Sequence, residues 1–562
     1  MRLDIPARLL FTSAALVATL GAFGAEDRML KKAAASVSEK DYRTHIAALA
    51  TDEMEGRSPG TDGEQRTIEY LEKQYLELAL QPVDGGSFRQ QVPLVEIAAS
   101  EARLSFSKGG GSIELAYRDD MVIGSRRLTA ESSVTGSEVV FVGYGIVASE
   151  YGWNDYAGLD MRGKTALILI NDPGFVTGDP EHFRGKAMTY HGRWTYKFEE
   201  AARQGAAAAI IVHDTAPASY DWGVVRGSWT GPQFYPEAAD GNVGWTALEG
   251  WITKDRARQL VEMAGQEFSA LEAAAVKRGF KPVPLGVDAT GGVKNAIRRA
   301  RSPNVVGVMP GKDRPDEYVI YVAHWDHLGV GDEGGEDDVF NGAVDNATGV
   351  SALLTVAQGF RSMVPGPSRS IVFIAVTAEE SGLIGSQHFA AHPLVPLEKT
   401  AAVINIDALN PLGRARDVEV IGFGASELED LLAAAAKSQG RKLAPDRRAE
   451  AGYFYRSDHF NFAKAGVPAL YIKSGIELRD KPEGTGKRLL EEYVAERYHK
   501  PSDEYQDSWD VSGSIEDLRL LFEVGARVAN DAGWPEWYEG NEFRAARDSS
   551  AASRKADAEG TD

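Results

Sequence analysis

His324 closes the run Val322-Ala323-His324-Trp325-Asp326-His327-Leu328-Gly329, directly after apolar residues that read as a strand. Imidazole is a common ligand of divalent metals, and Asp326, two residues on, can accept a hydrogen bond from the non-ligating ring nitrogen and fix the tautomer. Asp345 follows in Asn341-Gly342-Ala343-Val344-Asp345-Asn346-Ala347-Thr348-Gly349, where small residues let the backbone crowd a cation. A carboxylate has two oxygens, so Asp345 can bridge two ions. Glu379-Glu380 come just after the apolar run Ile371 to Val376. Adjacent side chains leave a backbone in different directions, so one glutamate can bind metal while its neighbour reaches an activated water. Asp407 closes Val403 to Ile406, and His499 lies in Tyr498-His499-Lys500-Pro501-Ser502-Asp503-Glu504. Alone, a His-x-Asp reads as a hydrogen-bonded pair and Glu-Glu as solvated surface. Their common order, after strand ends, is what points to hydrolytic metal chemistry.

The elements that must position these residues show their own periodicity. From Asn304 to about Asn530, short apolar runs (Val319 to Ala323, Ile371 to Val376, Val403 to Ile406, Val418 to Ile421, Ala469 to Ile472) alternate with helical segments such as Gly349 to Phe360 and Glu427 to Gln439. That alternation predicts an α/β fold, a mixed, mostly parallel sheet flanked by helices on both faces, whose strand ends open onto one crevice. Ser38 to Leu80 predicts two helices parted by Glu55-Gly56-Arg57-Ser58-Pro59-Gly60-Thr61, and Phe88 to Ile123 predicts strands and turns. The region 136–287 reads as a separate unit, with buried-strand runs at Val139 to Val142, Thr165 to Ile170 and Ala208 to Val212. Its residues Gly143-Tyr144-Gly145, Asp155-Tyr156-Ala157-Gly158-Leu159 and Arg162-Gly163-Lys164 resemble the β-rich protease-associated domain, often inserted in peptidases. The expected order is therefore a signal peptide at 1–24, the N-terminal part of a main domain at 25–135, the inserted domain at 136–287, the catalytic domain at 288–540 and a disordered tail at 541–562, without periodicity from Arg544 onward.

As a set, the motifs resemble those of the dinuclear zinc aminopeptidases, whose relatives include glutamate carboxypeptidase and the transferrin receptor. The resemblance spans Asn304 to about Asn530 and, more weakly, Glu55 to Gly63. It implies two Zn²⁺ per chain, with other divalent ions compatible with the same donors. Asp345 is implied as the bridge, His324 and Asp407 as ligands of one ion, Glu380 and His499 as ligands of the other, and Glu379 as general base. It further implies a peptide substrate cleaved at or near a terminus. A family loop that supplies a tyrosine hydroxyl resembles Gly452-Tyr453-Phe454-Tyr455-Arg456-Ser457-Asp458-His459, but the usual register falls on Phe454, so the role passes to Tyr455 or Tyr453. Tyr455 is the preferred candidate, with packing as its alternative. Two other readings stand beside this one: a zinc carboxypeptidase or amidohydrolase of the related deacylase family, disfavoured because the inserted unit precedes His324, and an inactive binding module on the same scaffold.

The 562 residues carry 82 acidic and 61 basic side chains, a net charge of −21 that opposes nucleic-acid and anionic-membrane partners. There is no cysteine, so ligands must be His, Asp or Glu. Arg2 and Arg8 precede an apolar run from Leu9 to Ala22 with small residues at Ala22 and Gly24, the pattern of a cleaved secretory signal. A periplasmic or secreted protein, free of the membrane after cleavage, is expected. The acidic stretch Asp332 to Asp338, just after His324, suits attraction of a substrate's α-ammonium group, and suits a solvated loop or a Ca²⁺ site equally. Side-chain preference and oligomeric state have no signature in the sequence.

Overall fold

The computed structural model describes residues 28–83, 85–331 and 337–550. The expected signal peptide and most of the acidic stretch 332–338 lie outside these residues. The chain forms two units, the first from Met1–Gln91, Pro303–Pro445 and Ser457–Asp562, the second from Val92–Ser302 and Asp446–Arg456.

The first unit is built on a mixed sheet whose strands lie in the order Lys442–Pro445, Asp417–Val420, Ala469–Ser474, Thr400–Asn405, Arg314–His324, Arg369–Val376, and then the end of the long strand Val283–Met309. Its four inner strands run parallel. Asp417–Val420 is antiparallel to its inner neighbour, as is Val305 to Met309 at the other side. Every residue of Arg369–Val376 and Thr400–Asn405 is buried, so their centres, Ile371 to Val376 and Ala401 to Ile404, read as apolar runs rather than as alternation. Val319, Tyr321, Ala323, Ile371, Phe373 and Ala375 pack one face against helices Glu39–Leu49, Asp62–Glu77, Thr348–Arg361, Leu428–Ser438 and Ser512–Asn530. The short helices Ile384–Ala391 and His459–Lys464 contact each other, and the second also contacts the inner strands Thr400–Asn405 and Ala469–Ser474. The α/β class and the helix-flanked, mostly parallel sheet are as expected.

In the second unit the first part of Val283–Met309 pairs with Glu131–Phe141, followed by Thr165–Leu169, Ala208–His213, Leu248–Thr253 and Met121–Gly124. The four strands from Glu131–Phe141 to Leu248–Thr253 are parallel. Alternate residues serve two cores: Leu167 and Ile210 line one, Ile168 and Ile211 the other. The unit is wider than the expected 136–287. Leu94 to Ala98 pair with Pro232–Pro236, which draws in the preceding chain, and the Met188 N–H donates to the Ala449 carbonyl at 3.0 Å, which attaches 446–456. The expected disordered tail is corrected at its start. Residues 544–550 are helical, and Arg547, only 1% exposed, donates to the Thr400 carbonyl at 3.0 Å. No described helix is long and apolar enough to cross a membrane.

Candidate metal centre

Register brings the candidate residues to one edge of the first unit's sheet. His324 pairs with Val376 and Val322 with Asn405, so two residues further along, Asp407 draws level with His324, and Glu379 follows Val376 by three. The chain turns sharply at each of these points. Ala378, Ala408 and His499 adopt left-handed conformations, with φ of 53°, 55° and 57°. For residues with a Cβ this conformation costs on the order of 1 kcal/mol or more each, strain typical of sites where side-chain direction matters more than local comfort.

Asp345 lies at the centre. Its Oδ1 is 3.3 Å from His324 Nε2 and its Oδ2 is 3.2 Å from His499 Nε2. His324 Nε2 is also 3.8 Å from Asp407 Oδ1, and His499 Nε2 is 3.2 Å from Glu380 Oε2. Glu379 joins His324 and Asp407 in one group of donor atoms all within 4.8 Å of one another, while Asp345 and Glu380 join His324 in a second. Thus His324, Asp345, Glu379, Glu380, Asp407 and His499 are brought together. Burial opposes ionisation of Asp345, yet His324 and His499 hold its carboxyl well below the usual range. Glu379 moves the opposite way: burial, with Glu380, Asp458 and Asp407 close by, pushes its carboxyl well above the usual range against the pull of His324.

Further residues orient this set. Asp326 does less for His324 than its spacing suggested: the His324 Nδ1–H donates to the Asp326 backbone carbonyl at 3.1 Å, and the Asp326 carboxylate lies 3.8 Å from that nitrogen. That carboxylate instead accepts the backbone N–H groups of Glu379 and Glu380, at 3.0 and 3.3 Å, and so aims both glutamates. His327 Nδ1 bonds Glu380 Oε1 at 2.6 Å. Ser457 donates to Asp407 Oδ2 at 2.6 Å and the Tyr471 hydroxyl donates at 3.2 Å. Asn346 ties the Asp345 turn to the Asp407 turn, donating to the Ile406 carbonyl and accepting from Gly349 and Ala408. A Cβ at Gly349 would sit 2.1 Å from Asn346 Oδ1 and 2.5 Å from the Ile406 carbonyl, so only glycine allows this approach.

Sequence reasoning gave no role to Arg57, His327, Asp503 or Tyr498. The Arg57 guanidinium, 1% exposed, donates to the carbonyls of Trp325, Leu49, Asn341 and Gly342 at 2.9, 2.7, 2.6 and 2.9 Å. It pins the strand end that carries His324 to the turn that carries Asp345. Burial lowers it to about 10 although Asp326, Asp503, Asp345 and Glu380 pull upward. Asp503 accepts the Val344 and Asp345 N–H groups at 3.1 Å. The Tyr498 ring stacks on His499 with centroids 3.9 Å apart. Though 42% of Tyr498 is exposed, burial and the carboxylates of Asp345, Glu380, Glu379 and Asp407 push its hydroxyl well above the usual range. The one sequence signal was position, since three of these four residues lie inside motifs already singled out and Arg57 in the loop that interrupts the first helices. Tyr455 belongs to the second unit, where its buried ring meets Tyr190 at 6.1 Å and Phe454 at 5.4 Å.

The donor set fits divalent cations of the zinc class. Asp326, Asp345, Glu379, Glu380, Asp407 and Asp458 gather around His324 and His499, an excess of carboxyl groups that bound divalent cations would balance. Residues 304–522, which carry all six converging residues, match peptidase family M28. This segment is similar to that family. A 137-residue stretch is 36% identical to aminopeptidase NAALADL1 of Mus musculus, covering 23% of this chain and 17% of that protein. A glutamate carboxypeptidase 2 homolog of Caenorhabditis elegans is 24% identical over 398 residues, 62% of this chain and 46% of the other. The chain therefore covers less than half of these relatives. The solved aminopeptidase from Aneurinibacillus sp. strain AM-1 has the same fold, with a TM-score of 0.52 at 20% identity over 90% of this chain and 97% of that one. The M28 segment thus contains the sheet edge and every converging donor.

Proposed function

We propose that this protein is an exported zinc metallopeptidase that removes residues at or near a peptide terminus, acting as an aminopeptidase. One observation carries the reading: the two oxygens of Asp345 face two different histidines, His324 and His499, as a carboxylate shared by two cations requires. Asp407 completes the His324 side and Glu380 the His499 side. The match of residues 304–522 to family M28 and the relatives named as aminopeptidases support it. The second unit is read as the protease-associated domain, and the run Leu9 to Ala22 as the export signal.

Zinc held by His324, Asp345, Glu380, Asp407 and His499 would supply Lewis acidity for water and for the scissile carbonyl. Glu379, held by the Asp326 carboxylate through its own N–H, accepts the proton of the attacking water and returns it to the leaving amine. His327 and His499 keep Glu380 ionised, at about 2 despite burial, so it stays a ligand and leaves proton transfer to Glu379. A tyrosine hydroxyl donates to the developing oxyanion. Tyr455 is the candidate by motif and Tyr498 by its place beside His499.

The test is metal reconstitution. Chelator-stripped protein should take up about two zinc ions per chain and regain hydrolysis of unblocked dipeptides, with N-terminally blocked ones resistant. Hydrolysis that persists after stripping, or preference for blocked substrates, overturns the reading. The mature N-terminus of the exported protein should lie at Ala25.

A further inference from the structure

Helix Ile384–Ala391 and the residue that caps it, His392, present two imidazoles one turn apart. Among the ten histidines of the chain, His388 and His392 alone stand at i and i+4, the spacing that brings side chains together on one face of a helix. Their ring centroids lie 4.7 Å apart, with the planes at 27°. His388 is half-buried and His392 exposed, so solvent reaches the pair. The backbone beneath them is fixed. The His392 N–H donates to the His388 carbonyl at 2.8 Å, closing the last turn, and the Gln90 side-chain amide donates to the His392 carbonyl at 2.7 Å. Gln90 in turn accepts from Asn304 at 2.9 Å. Between the two histidines, Phe389 is fully buried and its ring meets Phe462 at 5.7 Å, which anchors the inner face of the helix. Pro393 follows and cannot extend the helix.

Elsewhere in the chain a histidine of this kind finds an acid, as His191 finds Glu150 at 2.7 Å. No carboxylate acts on His388: after burial, the one group that does is His392, and both hold its imidazole below the usual range. His388 therefore keeps an unprotonated nitrogen at neutral pH, the form that binds metal. Protonating both rings sets two like charges side by side, whereas one cation shared between two lone pairs meets no such repulsion. Zinc–imidazole bonds of about 2.0–2.1 Å, at angles between square and tetrahedral, put the centroids of two ligating rings roughly 4.5–5.2 Å apart. The pair already has that spacing. Rotation about χ2, a broad torsion in histidine, aims one nitrogen of each ring at a common point.

We propose that His388 and His392 form a binding site for one divalent transition cation of the Ni²⁺, Cu²⁺ and Zn²⁺ class, with water completing its coordination. Both residues belong to the first unit, and neither is among the donors that converge around Asp345. The site therefore does not rest on the peptidase reading. With only two protein donors, it fills after that centre and at higher free metal. Ca²⁺ and Mg²⁺, which take oxygen ligands, do not suit it.

The experiment uses untagged full-length protein incubated with zinc and freed of excess, with Ni²⁺ as the probe. Calorimetric titration should show one Ni²⁺ per chain taken up beyond the zinc, whose content is measured before and after so that exchange is seen separately. His388→Asn and His392→Asn, each made alone, should weaken this uptake by at least about tenfold, since losing merely a hydrogen bond to a metal ligand costs that much. Ni²⁺ should raise the melting temperature of the parent and leave that of either variant where it was, because a cation held only by the folded pair stabilises it. With Cu²⁺ in place of Ni²⁺, the electron paramagnetic resonance spectrum should carry the splitting of two nitrogen donors in the parent and of one at most in each variant. Ca²⁺ should do none of this. A chain that holds no zinc would sink the peptidase reading, while Ni²⁺ uptake lost in both variants would still support the pair. No Ni²⁺ uptake by the parent, Ni²⁺ that enters only by displacing zinc, or uptake at parent strength in either variant overturns the proposal.

Discussion

The acids around Asp345 in the first unit are largely buried and the ions around Lys197 in the second fully so, and they meet the cost of desolvation in different ways. Lys197, 0% exposed, donates to the carbonyls of Tyr144 at 2.7 Å and His191 at 2.6 Å. Asp155 accepts from Ile146 and from the Trp153 indole, and Asp172 accepts from Gly174 and twice from Thr189. Each of these ions is answered by protein groups, and the cluster holds loops together. Around Asp345, by contrast, carboxylates and histidine nitrogens face one another across 3.2 to 3.8 Å, and their charges do not balance. Buried polar networks that close on themselves rigidify a fold, whereas those left with an excess of one sign are prepared for a ligand of the other.

Substitutions in the two clusters should therefore fail in different currencies. Glu379→Gln should lose about two to four orders of magnitude in turnover while keeping its zinc and its melting temperature. A near-normal rate would remove Glu379 from proton transfer. Lys197→Met strands Asp155 and Asp172 and should cost about 3–5 kcal/mol in urea unfolding, with zinc content of the folded protein unchanged. Zinc loss without loss of stability would erase the distinction between the clusters. Between the tyrosines, the one that serves the oxyanion should lose about a hundred- to a thousandfold in turnover on replacement by Phe. Tyr498→Phe showing the loss places the donor beside His499, and Tyr455→Phe showing it places the donor in the 446–456 loop. Arg57→Lys cannot reach four carbonyls at once and should weaken zinc binding by about ten- to a hundredfold in a competition with a chelator, the smallest of these effects.

Much of the first unit was legible because its signals are local. Arg369–Val376 and Thr400–Asn405 carry the apolar runs Ile371 to Val376 and Ala401 to Ile404, and the polar residues just past them, Glu379 and Asp407, stand where parallel strands deliver side chains. Helix Thr348–Arg361 differs from its expected span by one residue at each end. What could not be read depends on partners far away in sequence. Arg57 looks like an ordinary loop arginine until Trp325, Asn341 and Gly342 turn their carbonyls toward it. Asp326 had the spacing to serve His324, but the turn after Ala378 brings the N–H groups of Glu379 and Glu380 to it instead. Strand pairing with Pro232–Pro236 moved the unit boundary to Val92, and Arg547 fastened residues that composition assigned to a loose tail.

The count of zinc ions taken up by chelator-stripped protein, compared between the parent chain and Asp345→Asn, bears most directly on the account. It predicts about two ions per chain for the parent and a loss of both high-affinity sites together in the variant, because one carboxylate serves both. A single ion in the parent, or a variant that still binds two, would contradict it.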